Sequence, residues 1–419
     1  MNSFVNFLKD FFKNRGLIVF SAFIIEKLVM LINTIFIVKM ISQEEFGRVT
    51  LIASVLAFFV PLSGFGTFSM LMKFGSEQKS EEDKLRLSQE IFRKGLRNQF
   101  ILALGFILIS SIYTLKFEHL TWIIAMYAVR LIGVFLQAHL TITHRINGKN
   151  EKFATINIIV NIVGLIGTFI LTYFFGVIGY VISLAIAPFI SLFFYNKSIV
   201  EKSIQTIQNL DWKKMWRYGW MESIAYFSSE LLFSIDIAMI ALFMTDKDIS
   251  LYKVAIILPL NLIFIPSMLF QTDMPRIIQN SKNKAFLKQY ILNYYRLFIP
   301  LSIVIITGSY FLKDWLIKLF FNETYLQGSK VFFISTLAVV ATMLTRVVFI
   351  NLNSAIGQAN WNVRISIISI IFLIIFDLIF IPKYGIEGAA IGMMLTFTLI
   401  GIYSAYLFLN YLNTLKSNE

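Results

Sequence analysis

Twelve apolar runs, most of them long enough to cross about 30 Å of hydrocarbon as a helix, leave this chain little choice of fold. They lie at about 16–38, 49–72, 99–116, 120–141, 153–175, 176–195, 219–243, 251–272, 294–312, 331–353, 363–381 and 386–412. With 57% hydrophobic residues, 15% charged residues and a mean hydropathy of +0.74, the 419-residue chain is too apolar for a soluble globular domain. The first run, 16–38, is too long for a signal-peptide core, carries Glu26 and Lys27, and is followed by no small-residue cleavage site, so it is expected to stay as the first helix. The reading is an all-α polytopic membrane protein with twelve transmembrane helices.

The formal net charge of +13 does not call for nucleic acid, because the basic residues sit in short connections between apolar runs. Placing the N-terminus in the cytoplasm puts 25 Lys and Arg in cytoplasmic segments and 9 on the other side, with three left inside spans. That asymmetry predicts both termini cytoplasmic. Among the charged connections, 73–98 holds Leu85, Leu87, Ile91 and Leu96 among Lys84, Arg86, Arg93, Lys94 and Arg97. It reads either as a helix lying on the inner leaflet or as a solvated connector.

Several chemistries are absent. With no cysteine there is no disulfide, thiolate metal site or cysteine nucleophile. His119, His139 and His144 form no His-Glu-x-x-His pair, and no phosphate-cradling glycine loop is present, so neither a zinc hydrolase nor an ATP-driven pump is expected, and no cofactor. Asp246-Lys247-Asp248 has the form of the metal-chelating Asp-x-Asp of some sugar transferases, and equally that of an ordinary turn.

An internal repeat carries the organisation further. Asn147-Gly148 is followed 28 residues later by Gly176-Val177-Ile178-Gly179, and Ile356-Gly357 is followed 28 residues later by Gly385-Ile386-Glu387-Gly388. The glycines recur at one offset of 209 residues, each second glycine preceded by an aromatic residue, Phe175 or Tyr384. Two six-helix halves follow, 1–200 and 201–419. Six helices apart, they enter the membrane in the same sense, a 6+6 parallel repeat with a pseudo-twofold axis along the membrane normal, enclosing a central cavity. Such halves suit alternating access better than they suit a channel or a membrane enzyme.

Candidate lining residues are the ionisable groups inside spans, which are costly in lipid and so face protein or water. Glu222, Glu230 and Asp236 share one face of an ideal helix over 219–243. Glu26 and Lys27 lie mid-span in the first run; Arg130 lies mid-span with Gln137 and Thr141 on its face; Arg346 shares a face with Thr342 and Asn353. The stripe Asn157, Asn161, Gly164 and Thr168 reads as helix-packing glue, and Lys253 and Asp377 as interfacial.

The chain resembles the Wzx-type polysaccharide repeat-unit flippases of the multidrug/oligosaccharidyl-lipid/polysaccharide exporter superfamily. The resemblance rests on the 6+6 plan, on Ile41-Ser42-Gln43-Glu44-Glu45-Phe46-Gly47-Arg48, on the Phe65-Gly66 bend and on Tyr384-Gly385-Ile386-Glu387-Gly388-Ala389-Ala390. It implies a non-enzymatic transporter of the bacterial inner membrane that flips an undecaprenyl-diphosphate-linked oligosaccharide to the periplasmic leaflet for O-antigen or capsule synthesis. Arg130, Arg346 and Lys27 would then receive the diphosphate, and Glu26, Glu222, Glu230 and Asp236 would couple H+ or Na+, with polysaccharide assembly proteins as partners. Three embedded cations against five embedded acids, Asp377 included, fit a cation-coupled multidrug exporter of the same superfamily as the alternative. A membrane-embedded glycosyltransferase or polymerase using Asp246 and Asp248 is the third reading.

Overall fold

A computed structural model describes residues 31–195 and 210–415, so Glu26 and Lys27 lie outside the described residues. Among the described residues there is no strand. The α-helices are α1 (Leu31–Met40), α2 (Gln43–Phe59), α3 (Thr67–Met70), α4 (Glu81–Ser111), α5 (Leu120–Ile146), α6 (Asn150–Ile186), α7 (Trp212–Phe243), α8 (Asp246–Asn261), α9 (Phe264–Gln279), α10 (Lys284–Phe320), α11 (Ser329–Leu344), α12 (Arg346–Ala355) and α13 (Ala359–Thr414). Among the described residues, eight helical runs are long and apolar enough to cross a membrane, nine if the bent α7 is counted. The described residues fall into two compact units, one of residues 40–238 and one of residues 31–39 with 239–415.

The Ser-Gln-Glu-Glu segment is a capping box that starts α2. The Ser42 hydroxyl accepts from Glu45 N, and the Glu45 carboxylate accepts from Ser42 N at 3.0 Å. Thr245 and Asp248 do the same for α8, with the Asp248 carboxylate accepting from Thr245 N at 3.0 Å and Oγ1 at 2.7 Å. Each cap is worth about 1 kcal/mol and satisfies donors that a helix start would leave bare. Both helices then break near a Pro-Leu pair: α2 passes into a 3-10 turn at Val60–Phe65 that contains Pro61-Leu62, and α8 ends at Asn261, just after Pro259-Leu260. The first break takes Gly64, Phe65 and Gly66 to φ of 58°, 57° and 89°. Glycine is required at Gly66 because a Cβ there would stand 2.1 Å from the Gly219 carbonyl oxygen.

Two runs that pass as single helices are hairpins. In α6, Gly176 adopts φ 56°, ψ −137°, and Thr168 Oγ1 lies 3.1 Å from Ser183 Oγ, an approach that a straight helix forbids at a separation of 15 residues. In α13, Gly385 adopts φ 60°, ψ −139°, and a Cβ on Gly388 would meet the Phe380 carbonyl oxygen at 2.2 Å. The glycines found 209 residues apart therefore make the same turn, and Gly148 and Gly357 both take positive φ as well.

Two local expectations change. The basic segment 85–97 neither lies on a leaflet nor forms a solvated connector: it belongs to the N-terminal half of α4, continuous with the span, and Leu87 and Ile91 pack fully buried against Met70, Leu71, Ile142 and Met215. The helix over 219–243 is not straight, since α7 bends by 52° between Ser228 and Glu230. An ideal-helix projection therefore misplaces its acids: Glu230 is exposed, Glu222 half-buried and Asp236 buried.

The hairpin glycines generate a direct test. Gly176→Ala and Gly385→Ala are each expected to lower stability by about 1–3 kcal/mol, because that backbone region excludes a Cβ. Gly308→Ala, in the open middle of α10 with nothing within 4 Å, should be neutral or stabilising. Thermal unfolding of the purified variants in detergent reads the difference.

Candidate functional site

Arg130 lies on α5, half-buried, and its Nη1 donates to the Leu184 carbonyl. That carbonyl has no helical partner because the residue four positions on is Pro188, which lacks an N–H. Gly133, one turn after Arg130, lets the helices close, since a Cβ there would meet the Phe189 ring at 2.7 Å and Pro188 Cβ at 3.1 Å. The arginine thus repairs a backbone defect with one of its five donors, and its charge reaches the phenols of Tyr127 and Tyr180.

The other polar groups of that face are tied into packing. Gln137 Nε2 donates to Asn157 Oδ1 at 3.0 Å, the Thr141 hydroxyl donates to the Gln137 carbonyl at 2.9 Å, and Ser183 donates to the Gly164 carbonyl at 3.2 Å. Three members of the Asn157–Thr168 stripe are the helix glue that their residue types imply, while Asn161 is exposed.

Arg346 opens α12 directly after Thr345, whose φ of −127° and ψ of −77° break the run Glu323–Ala355. Its side chain is 9% exposed, with the guanidinium carbon 6.0 Å from the centre of the Phe397 ring. One turn beyond Phe397, Gly401 leaves room for the break: a Cβ there would stand 1.9 Å from Thr345 Oγ1. The carbonyls of Met343 and Leu344, which end α11, accept from the Tyr294 and Tyr295 hydroxyls at 2.7 and 2.8 Å. Because the helix breaks at Thr345, Thr342 belongs to α11 and Arg346 and Asn353 to α12, so the three do not form the single helical face expected. Asn353 instead donates to Ser404 Oγ at 3.3 Å.

Asp377 corrects another expectation. It is not interfacial but wholly buried in the Gly385 hairpin, packed so closely that a Cβ on Gly392 would be 2.9 Å from its Oδ1. A polar cluster that the sequence reading missed is Ser88, His139 and Thr143, all buried, with the Ser88 hydroxyl 3.0 Å from His139 Nε2 and 2.7 Å from Thr143 Oγ1. Its one sequence signal is the four-residue spacing of His139 and Thr143, which stacks them on one face of α5.

Asp246 and Asp248 are not arranged for a metal. The Asp248 carboxylate is committed to the α8 cap, Asp246 Oδ1 accepts from Lys247 N at 3.0 Å, and no group of three potential metal ligands occurs among the described residues. Each unit therefore offers a guanidinium at a helix discontinuity, Arg130 at Pro188 and Arg346 at Thr345. Asp236 is a buried carboxylate of the first unit and Asp377 of the second. Guanidinium groups so placed suit phosphate oxygens, and buried carboxylates suit protons or cations.

No curated protein matches the sequence. Among solved structures, an inward-facing multidrug resistance MATE family transporter of the MOP superfamily matches with a TM-score of 0.73 at 13% identity, covering 94% of this chain and 96% of the other. The lipid II flippase MurJ in an inward closed conformation matches with a TM-score of 0.67 at 19% identity, covering 96% and 94%. The Vibrio cholerae MATE transporter VcmN in its bent form gives 0.54 at 14% identity, covering 99% of both chains. At these identities the likeness is one of fold, and the fold is that of the MOP-superfamily transporters. A family model described as "Polysaccharide biosynthesis protein" matches residues 12–281, well over half the chain, and the protein is a multi-pass membrane member of that family.

Proposed function

We propose that this protein flips an undecaprenyl-diphosphate-linked oligosaccharide repeat unit from the cytoplasmic to the periplasmic leaflet of a bacterial inner membrane, by alternating access, for O-antigen or capsule synthesis. One observation carries the reading: membership of a polysaccharide biosynthesis family on a transporter fold. The same likeness to transporters supports a role without covalent chemistry. Twelve spans in a 6+6 plan are supported by the two hairpin runs, each of which folds back at a glycine and so holds two helices, and by the matched capping boxes. The distribution of basic residues supports cytoplasmic termini.

In this scheme Arg130, with most of its donors left after Leu184, is the first contact for the diphosphate, joined by Arg346 and Lys27. Glu26, Glu222, Glu230 and Asp236 carry the coupling H+ or Na+. Polysaccharide assembly proteins would take up the product. A cation-coupled multidrug exporter is the second reading, favoured by the MATE likeness and by the number of acids within spans.

The deciding experiment is the lipid-linked oligosaccharide content of a deletion strain, assayed leaflet by leaflet in inner-membrane vesicles. Intermediates are expected to accumulate in the cytoplasmic leaflet and to clear when the gene is restored. Unchanged leaflets together with altered resistance to cationic compounds would transfer the assignment to drug export.

Arg130 separates its two roles by substitution. Arg130→Gln keeps a donor for the Leu184 carbonyl and removes the charge, so protein abundance should hold while export falls. Arg130→Lys should restore export in part, because a point charge lacks the bidentate fork. Arg130→Ala leaves the carbonyl bare and should cost about 1–3 kcal/mol of stability as well. Equal export by Arg130→Gln and wild type would remove this residue from substrate contact. Replacing both Asp246 and Asp248 with Ala should leave export intact and cost only the α8 cap, about 1 kcal/mol; abolished export would instead revive a transferase role for the pair.

A further inference from the structure

A basic surface is exposed at the start of α7 and is flanked by exposed arginines of α4. The first two turns of α7 are clamped on one side. The Trp212 ring lies 3.2 Å from Lys94 Nζ, the Tyr218 ring lies 4.0 Å from Lys73 Nζ, and Met215, 2% exposed, sits in the cluster with Leu87, Ile91 and Ile142. On the other side, Trp216, Trp220, Lys213, Arg217 and Lys214 span about 160° of arc at 100° per residue; Trp216 also reaches the edge of that cluster, and the Trp220 ring meets Phe65 edge-on with 5.4 Å between centroids. Lys213, Lys214 and Arg217 are exposed, as is Trp220 at 42%. Arg93 and Arg97, exposed one turn apart, flank Lys94 on α4. Asp211, whose Oδ1 caps Lys214 N at 3.0 Å, Glu90, half-buried beside Lys94, and Glu222 and Glu77, near Tyr218, are acids of this region.

We propose that this face of α7 is a binding site for the headgroups of anionic phospholipids. Two features on different levels carry it. The stripe stands where the charged sequence gives way to the apolar run beginning at Gly219, so its position along the helix is that of a membrane boundary. Three of the chain's six tryptophans fall within residues 212–220, and the two that take no part in the Lys94 contact lie among the cations. Indole rings settle at headgroup level while Lys and Arg draw in anionic lipid, which is the pairing an interfacial lipid site needs. A soluble acidic partner would meet the cations but gain nothing from a tryptophan at the apolar edge. Gly219, in the next turn, packs its backbone against Gly66, so a headgroup held here steadies α7 against the broken α2–α3 segment.

The test uses the full-length protein purified in detergent, with thermal unfolding and native mass spectrometry on addition of phosphatidylglycerol or phosphatidylcholine. Phosphatidylglycerol should raise the unfolding midpoint and stay bound, whereas phosphatidylcholine should do neither. The triple variant Lys213→Ala, Lys214→Ala, Arg217→Ala should bind phosphatidylglycerol roughly a hundredfold more weakly, given about a fivefold contribution per cation. The charge-keeping set Lys213→Arg, Lys214→Arg, Arg217→Lys should bind like wild type. Equal stabilisation by the two lipids, or equal phosphatidylglycerol binding by wild type and the Ala variant, overturns the proposal. Full reproduction of the effect by soluble glycerol phosphate would also overturn it, in favour of a free-phosphate site.

Discussion

Inside hydrocarbon no water is available to a backbone N–H or C=O, so every interruption of a helix must be repaired by the protein itself. This chain interrupts its helices repeatedly, and the repairs account for many of its buried polar side chains. Gln99 is the clearest case. Its Oε1 accepts from Gly64 N at 2.8 Å inside the broken segment, and its Nε2 donates to the Leu131 carbonyl at 2.7 Å, so one amide joins a break to a neighbouring helix. Arg130 serves Leu184 across from Pro188, and Tyr294 with Tyr295 serve the end of α11. Mid-span polar residues here are first of all backbone partners.

If the protein carries a diphosphate as proposed, that constraint bears on how the charge is received. A guanidinium already anchored by one backbone bond is held in place before any ligand arrives, and its other donors are oriented at little further entropic cost. Arg346 is a different case. Held 9% exposed beside Phe397, it would require movement at the Thr345 break before it could meet a diphosphate. The two arginines are therefore unequal despite their similar positions at helix discontinuities.

Some elements were legible from residue types alone because their physics is local. Ser42 and Glu45 announce a capping box through side chains that bond their own first turn. The glycines at 176 and 385 mark positions where the backbone takes a conformation closed to other residues, and their common offset aligns the spans on either side of each. Elsewhere, periodicity misled. Leu85, Leu87, Ile91 and Leu96 give the same amphipathic pattern whether they meet lipid headgroups or the side of α5, and only the neighbouring helices show which. Asp377 sits near the end of a predicted span, yet the hairpin folds Gly392 over it. Glu222, Glu230 and Asp236 share a face on an ideal helix, and a 52° bend removes the premise.

Composition and the spacing of apolar runs, by themselves, determined that this is an all-helical membrane protein with an internal repeat, because the demand to satisfy every backbone group in lipid acts on each segment separately. The capping boxes and hairpin turns followed for the same local reason. Only the tertiary structure decided which partners the mid-span polar residues take: Arg130 the Leu184 carbonyl, Gln137 the Asn157 amide, Asn353 the Ser404 hydroxyl. Those assignments depend on what a second helix brings within 3.5 Å, a distance between segments that no pattern along a single segment encodes.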